Sequence, residues 1–285
     1  MPALLRSLPW PAFQAARLFR SVGLWLLGPA DFSWRWMNGK RHLPPLWLRR
    51  QTGPVDRFES AAREMADRIE ALRPVRIDDL VLDLGCGAGA MVPYFARWLG
   101  PRGRYVGIDI HGPSIRWCRR KFRGDPRLRF VRVARAPRNV LPIGYAEASF
   151  VLAKSLFTHL REDEARRMLA EVRRTLAPRG TALVTAFLFE RGQGERSAAA
   201  HFPFASGGGS IRWRWNARPE SALAIERFRF LKWIAEAGLA VERFIPGFWP
   251  GAAPPCGQDL LLLSDGTASR AVLPCPRSRL APKAP

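Results

Sequence analysis

Asp83, Leu84, Gly85, Cys86, Gly87, Ala88 and Gly89 place one acid and three glycines at the end of an apolar run that starts at Leu80. Alternate glycines let the backbone turn tightly and approach a ligand where a Cβ would collide. A helix starting behind such a turn presents unpaired N–H groups to whatever lies there. Twenty residues past the last glycine stands a second acid, Asp109, where a carboxylate accepts two hydrogen bonds from a ribose diol. These residue types at this spacing describe a nucleotide-type cofactor site. Asp83 bears on which cofactor. Two residues ahead of the first glycine, its charge suits a ligand carrying an ammonium and a sulfonium better than a pyrophosphate. GCGAGA over Gly85 to Ala90 also satisfies G-x-G-x-x-G/A, so a dinucleotide dehydrogenase is the competing reading. A glycine turn that binds nothing is the third.

The elements that must position these residues read as a βαβ unit. Leu80 to Leu84 is a buried parallel strand, the helical stretch runs within 88–99, and a second strand covers 104–110. Ahead of them, Phe58, Ala62, Met65, Ile69 and Leu72 set a helical period. The alternation continues with helix 113–122 and strands 128–134 and 149–154. Helix 161–176 follows, stopped by Pro178 and Gly180, then strand 181–189 and helix 220–237 ending at Gly238. Strands 240–246 and 258–264 close the pattern. Strands alternating with helices predict an α/β fold, a mostly parallel sheet with helices on both faces. Ligands of such sheets lie outside the carboxyl ends of the strands.

The acid, spacer and G-x-G-x-G of Asp83 to Gly89 resemble the first motif of the class I S-adenosylmethionine-dependent methyltransferases. The resemblance covers about 54–265 and implies a seven-stranded Rossmann-like sheet, mostly parallel, whose last strand is antiparallel. It implies S-adenosyl-L-methionine as cofactor. Gly85, Cys86, Gly87 and Gly89 would line its methionine portion, Asp109 its ribose, and Ile110 and His111 would lie near its adenine. The family often has an acid shortly after the third strand; this chain has Ala134 and Arg135. Where S-F-D is common on the fourth strand it has Ser149, Phe150 and Val151. A main-chain contact at Ala134 and Arg135, or weaker binding, would be the consequence. KSLFTHL, Lys154 to Leu160, resembles the K-S-x-F-T-H segment of a bacterial small-molecule subgroup, which implies that Lys154 and Ser155 face the methionine end. His159 is the general-base candidate, because an imidazole of ordinary pKa ~6.5 takes a hydroxyl proton near neutrality. Its alternative is a histidine that packs or caps the helix starting near Arg161. His42 and His201 are weaker candidates in flanking segments.

Residues 190–219 read as an insertion on the acceptor side, in which Phe202, Phe204, Trp213 and Trp215 line an acceptor pocket and Gly207 to Gly209 supply mobility. Residues 1–53 form a basic, aromatic arm, with Trp34, Trp36 and Trp47 interleaved among arginines. The preferred reading is a lid with its tryptophans packed on the main domain; the alternative is a segment suited to an anionic membrane surface. Residues 266–285, rich in Pro, Ala and Arg, read as a disordered tail.

The formal charge of +22 comes from five lysines and 41 arginines spread through the chain. So lopsided a ratio can arise from a GC-rich coding sequence as well as from selection for phosphate binding, so charge alone does not make this an RNA enzyme. The four cysteines show no C-x-x-C spacing, which argues against a zinc site or disulfide framework and points to a reducing compartment. No metal site is expected. No apolar run approaches the ~18 residues of a membrane span, and Val22 to Ala30 is a weak signal-peptide core at most. A cytoplasmic enzyme, peripheral at a membrane if the arm engages one, is expected. The absence of an N-P-P-Y segment disfavours amino methylation of DNA bases or glutamine, and no cysteine pair serves pyrimidine carbon methylation. Methyl transfer to a small-molecule or lipid-like acceptor, at oxygen, is the reading these residues favour. An RNA methyltransferase using the arginine surface and a non-catalytic S-adenosylmethionine-binding protein are its rivals.

Overall fold

LVLDL forms strand β1 (Leu80–Leu84), buried along most of its length, as a strand covered on both faces requires. The computed structural model describes residues 23, 26–134, 141–190, 204, 206–214, 219–247 and 257–266. Chain contacts divide it into two units, Met1–Pro142 with Trp215–Arg218, and Ile143–Arg214 with Pro219–Pro285. The division falls inside the stretch expected as one domain, and the N-terminal arm belongs with the first unit.

In the first unit β1 pairs in parallel with β2 (Arg104–Asp109), Leu80 opposite Arg104 and Leu84 opposite Ile108. β2 pairs in parallel with β3 (Leu128–Arg132). The arm contributes helix α1 (Gly28–Met37) and the short α2 (Leu46–Arg49). Helix α3 (Phe58–Leu72) buries Ala62, Met65, Ala66 and Ile69, the face its periodicity predicts. Helix α4 (Val92–Trp98) starts a few residues later than the sequence suggests, because the glycine turn runs on to Met91 and Pro93 opens the first turn. Helix α5 (Gly112–Lys121) also carries Pro in its first turn and ends in Arg119, Arg120 and Lys121, cations that complement the C-terminal dipole. An aromatic chain fills the core of this unit: Phe95 and Phe130 flank Tyr105 at ring separations of 5.4 and 5.8 Å.

In the second unit β4 (Ala148–Ala153) pairs in parallel with β5 (Leu176–Phe189) after helix α6 (Glu162–Thr175). The sequence places a break at Pro178 and Gly180 between helix and strand. Instead β5 begins directly at Leu176, and the residues around Pro178 form an irregularity within it, where the register slips between Ala148 and Phe150. A Cβ at Gly180 would stand 2.8 Å from the carbonyl oxygens of Ala148 and Ala177, so glycine is what lets the strand pass there. The segment expected to be only a loop and a helix holds β6 (Ser206–Gly208), β7 (Ile211–Trp213) and β8 (Leu223–Glu226), ahead of helix α7 (Arg227–Glu236). β6 and β7 form a hairpin, β7 pairs antiparallel with β8, and β8 extends the far end of β5 in parallel. The last two strands, β9 (Ala240–Ile245) and β10 (Asp259–Ser264), are antiparallel, and β10 runs antiparallel to β5. All seven strands predicted from the sequence are therefore present, the last antiparallel as expected, with β6 to β8 added to them. Among the described residues no helix is long and apolar enough to cross a membrane.

Candidate cofactor site

The turn after β1 is held from the neighbouring strand β2. The N–H groups of Gly85 and Cys86 donate to the carbonyl of Ile108 on β2, at 2.8 and 3.1 Å. Gly85, Gly87 and Gly89 all take positive φ (77°, 53° and 79°), a conformation that side chains with a Cβ resist. Gly89 is doubly constrained, since a Cβ there would lie 3.1 Å from Cys118 Sγ and from the Phe122 ring.

Asp109, at the end of β2, clamps this turn. One carboxylate oxygen accepts the N–H of Gly87 at 2.8 Å and the other accepts that of His111 at 2.7 Å. An ionised carboxylate has about four acceptor sites, so capacity is left for a ligand hydroxyl. Ile110, next in line, is 51% exposed, an apolar surface at the strand end. The imidazole of His111 bonds Ser114 Oγ at 2.8 Å, and burial pushes its pKa down. Trp47 from the arm meets that imidazole edge-on at 6.5 Å. Of the tryptophans expected to pack on the domain, Trp47 does so; Trp34 and Trp36 are 46% and 53% exposed.

Asp83 is buried at the other end of the turn, and accepts the Tyr105 hydroxyl at 2.7 Å. Asp83 stands opposite Gly107 in the β1–β2 register, so Tyr105, two residues back, shares its face of the sheet. A Cβ at Gly107 would come within 3.0 Å of the Tyr105 hydroxyl and of Cys86 Sγ. Glycine at 107 is thus what leaves room for the tyrosine to reach the acid. Tyr105 was not singled out from the sequence; the bare position in YVGID beside an acid was its only signal. The two carboxylates impose a negative field on the turn. Burial first, and then the charge of Asp83, push the thiols of Cys86 and Cys118 up, Cys118 to about 12. Such a field opposes a pyrophosphate and favours a cation, so the residues present fit S-adenosylmethionine.

Ala134 lies exposed just beyond β3. Arg132, the last residue of β3, packs its guanidinium against Gly112 at the start of α5, within 3.3 Å of where a Cβ would stand. Arg135, Phe202, Trp215 and His201 lie outside the described residues. His42 bonds Glu59 at 2.9 Å, which gives it a local partner in the arm.

In the second unit Lys154 is half-buried at the end of β4. Ser155 follows with φ 59°, a strained conformation for a non-glycine residue. The Ser155 N–H donates to Thr185 Oγ1 at 2.7 Å, and both hydroxyls converge on Gln258 Oε1, at 3.2 and 2.5 Å. Thr185 and Gln258 escaped the sequence reading because they come from β5 and the approach to β10, far apart in the chain. His159 is exposed and shares a hydrogen bond with the carbonyl of Glu220 at 2.9 Å through Nδ1. A carbonyl only accepts, so Nδ1 carries the proton and Nε2 the lone pair of the neutral ring.

The acceptor-side expectation needs correction at Phe204. Phe204 is 1% exposed and packs on Phe187 at 5.1 Å, in a core cluster with Phe189, Ala222 and Ala224. It fills a core and lines no pocket, since the new strands β7 and β8 need an apolar underside. Gly207 to Gly209 are built into a hairpin, with φ of 112° at Gly207 and 65° at Gly209. Trp213, half-buried on β7, covers Gly207, where a Cβ would lie 3.0 Å from its ring.

Residues 81–180 match the family described as methyltransferase domain. A demethylmenaquinone methyltransferase of Lactobacillus johnsonii is 28% identical over 106 residues, 37% of this chain. That match spans 43% of the relative's own length. Among solved structures, the geranyl diphosphate C-methyltransferase of Streptomyces coelicolor A3(2), determined with Mg2+, geranyl diphosphate and S-adenosyl-L-homocysteine, is similar at TM-score 0.52. It is 17% identical, with 70% of this chain and 67% of that one covered. The 1,6-didemethyltoxoflavin-N1-methyltransferase of Burkholderia thailandensis gives TM-score 0.52 at 18% identity, covering 82% and 85%. The fold is that of the class I methyltransferases. Over residues 81–180 the chain is similar to methyltransferase domains, a class that uses S-adenosylmethionine.

Proposed function

We propose that the protein is an S-adenosylmethionine-dependent methyltransferase acting on a small-molecule or lipid-like acceptor, with oxygen as the methylated atom. The observation that carries the reading is the acidic glycine turn, with Asp83 buried beneath it and Asp109 clamped across it. Asp83 holds the cationic end of the cofactor, and Gly85, Cys86, Gly87 and Gly89 line its methionine portion. Asp109 binds the ribose, and Ile110, Ala134 and Arg135 adjoin the adenine. Trp213, with Phe202 and Trp215, contributes to the acceptor side. Demethylmenaquinone, geranyl diphosphate and didemethyltoxoflavin, the compounds named for the similar proteins, are all small molecules, which supports the acceptor class.

Bound cofactor of this kind supplies a methyl carbon already made electrophilic by a positive sulfur. The chain's share of the work is to orient the acceptor in line and to keep water out. His159 is the base that takes the acceptor proton, an imidazole being suited to it near neutrality.

Two measurements test this. Titration calorimetry should show S-adenosylhomocysteine binding in the micromolar range and no binding of reduced nicotinamide dinucleotide; the reverse would establish a dehydrogenase. Once an acceptor is found, His159→Ala should lower kcat by roughly 10²-fold or more with S-adenosylhomocysteine affinity unchanged. Equal loss of both would make His159 a packing residue.

A further inference from the structure

Helix α1 turns its charges inward and its aromatic residues outward. Asp31 and Arg35 are 8% and 7% exposed, whereas Phe32, Trp34, Trp36 and Met37 are 56%, 46%, 53% and 76% exposed. Leu26 and Leu27, just ahead of the helix, add 67% and 52%. At 3.6 residues per turn these six side chains fall on one broad arc together with Pro29, Ala30 and Ser33. That arc carries no charged residue.

A closed ionic cluster holds the helix in this orientation. Arg35 Nε donates to Asp31 at 2.9 Å, and Arg49 binds the other carboxylate oxygen. The N–H of Leu46 also reaches Asp31, at 3.1 Å, and Arg35 Nη1 donates to the carbonyl of Leu43 at 3.0 Å. Rolling the helix to hide its aromatics would bring three buried charges out of their hydrogen bonds and put apolar rings among polar groups. The fold therefore keeps the apolar arc facing out.

The surroundings indicate what covers it. Residues 1–53 hold eight cationic side chains and a single acid, and that acid is the buried, doubly paired Asp31. Arg41 is exposed and stacks on the Trp36 ring. An uncharged face rich in tryptophan with positive charge at its margins complements the interface of an anionic bilayer. Tryptophan rings sit at headgroup level there, and arginines meet lipid phosphates.

We propose that α1 docks on an anionic lipid surface, with Phe32, Trp34, Trp36 and Met37 entering the headgroup region and Arg41 on lipid phosphates. The inference is independent of which acceptor is methylated. The test is co-sedimentation of the full chain with vesicles of phosphatidylcholine mixed with phosphatidylglycerol, and with phosphatidylcholine alone. Binding should require the anionic lipid, and the double variant Phe32→Ser/Trp36→Ser should weaken it at least about tenfold, as expected for loss of two aromatic side chains from the apolar contact. Trp34→Phe/Trp36→Phe, which keeps the face apolar, should retain it. Because these side chains are exposed, all variants should keep the wild-type circular dichroism and melting temperature. No vesicle binding at low salt would overturn the proposal, as would binding unchanged in the serine variant, which would trace it to charge elsewhere. Self-association in sedimentation velocity, lost in the serine variant and without vesicle binding, would assign the face to a second copy instead.

Discussion

Asp83 and Asp109 both close a strand, yet the chain uses them differently. Asp109 takes two backbone N–H groups and so fixes the shape of the turn, whereas Asp83 is buried against a tyrosine and fixes its field. Tyr105→Phe removes the hydroxyl that donates to Asp83, and should cost about 1–3 kcal/mol of stability in urea unfolding, with weaker S-adenosylhomocysteine binding. Gly89→Ala forces a Cβ into the 3.1 Å gap at Cys118 and Phe122 with φ at 79°. It should abolish measurable cofactor binding in calorimetry and destabilise by about 1–3 kcal/mol. The buried thiols predict a pH effect. An unfolded cysteine ionises near ~8.5, while folded Cys118 keeps its proton up to about 12. Between those values the unfolded chain binds fewer protons than the folded one, so stability falls as pH rises from about 8.5 upward. Urea midpoints should decline between neutral and alkaline pH, and decline less in Cys118→Ala. The glycines and both acids were legible in the sequence because a local motif carries them. Tyr105 was not, because its role depends on the strand across from Asp83.

At the scale of elements, Asp259 ties three strand ends together. Its carboxylate accepts the N–H of Leu188 near the end of β5 and that of Gly247 just past β9, both at 2.8 Å. Asp259 is 4% exposed, so an amide at this position would turn a donor toward one of those N–H groups inside the protein. Asp259→Asn should therefore cost about 1–3 kcal/mol, read as a lower melting temperature with S-adenosylhomocysteine binding largely preserved. The strand core was readable from apolar runs. The hairpin of β6 and β7 was not, since three-residue strands interrupted by glycine carry too little alternation to register. The continuous run of β5 through Pro178 was missed for a related reason: a breaker marks an irregularity as readily as an end.

For the molecule as a whole, +22 charges invite a nucleic-acid reading, but five of the 41 arginines are committed to ion pairs and carbonyls of the fold. Arg127 binds Asp125 and the carbonyls of Ala96 and Leu99; Arg174 binds Glu171 and the carbonyl of Ile143. Arg73 pairs with buried Asp79, and Arg35 and Arg49 are spent on Asp31. Guanidinium groups committed to structure in this way are not a phosphate-binding stripe. RNA should accordingly bind weakly, with an affinity that salt between 50 and 200 mM reduces to background, and should not be methylated. Saturable RNA binding at the higher salt together with methyl transfer would instead support an RNA methyltransferase.

The sequence by itself determined the α/β alternation, the glycine turn with its two acids and the order of the strands, because each is written in residues close together in the chain. Tertiary structure alone decided four other things. It set Tyr105 on Asp83 through the bare position at Gly107, drew Ser155 and Thr185 onto Gln258, and placed Phe204 in a core. It also decided which way α1 faces. Periodicity would bury the aromatics of that helix, but a buried carboxylate needs its cationic partners. Asp31 finds them in Arg35 and Arg49, eighteen residues away at the farther one. Taking such a charge out of water without partners costs more than leaving apolar rings exposed, so the ionic cluster sets the orientation.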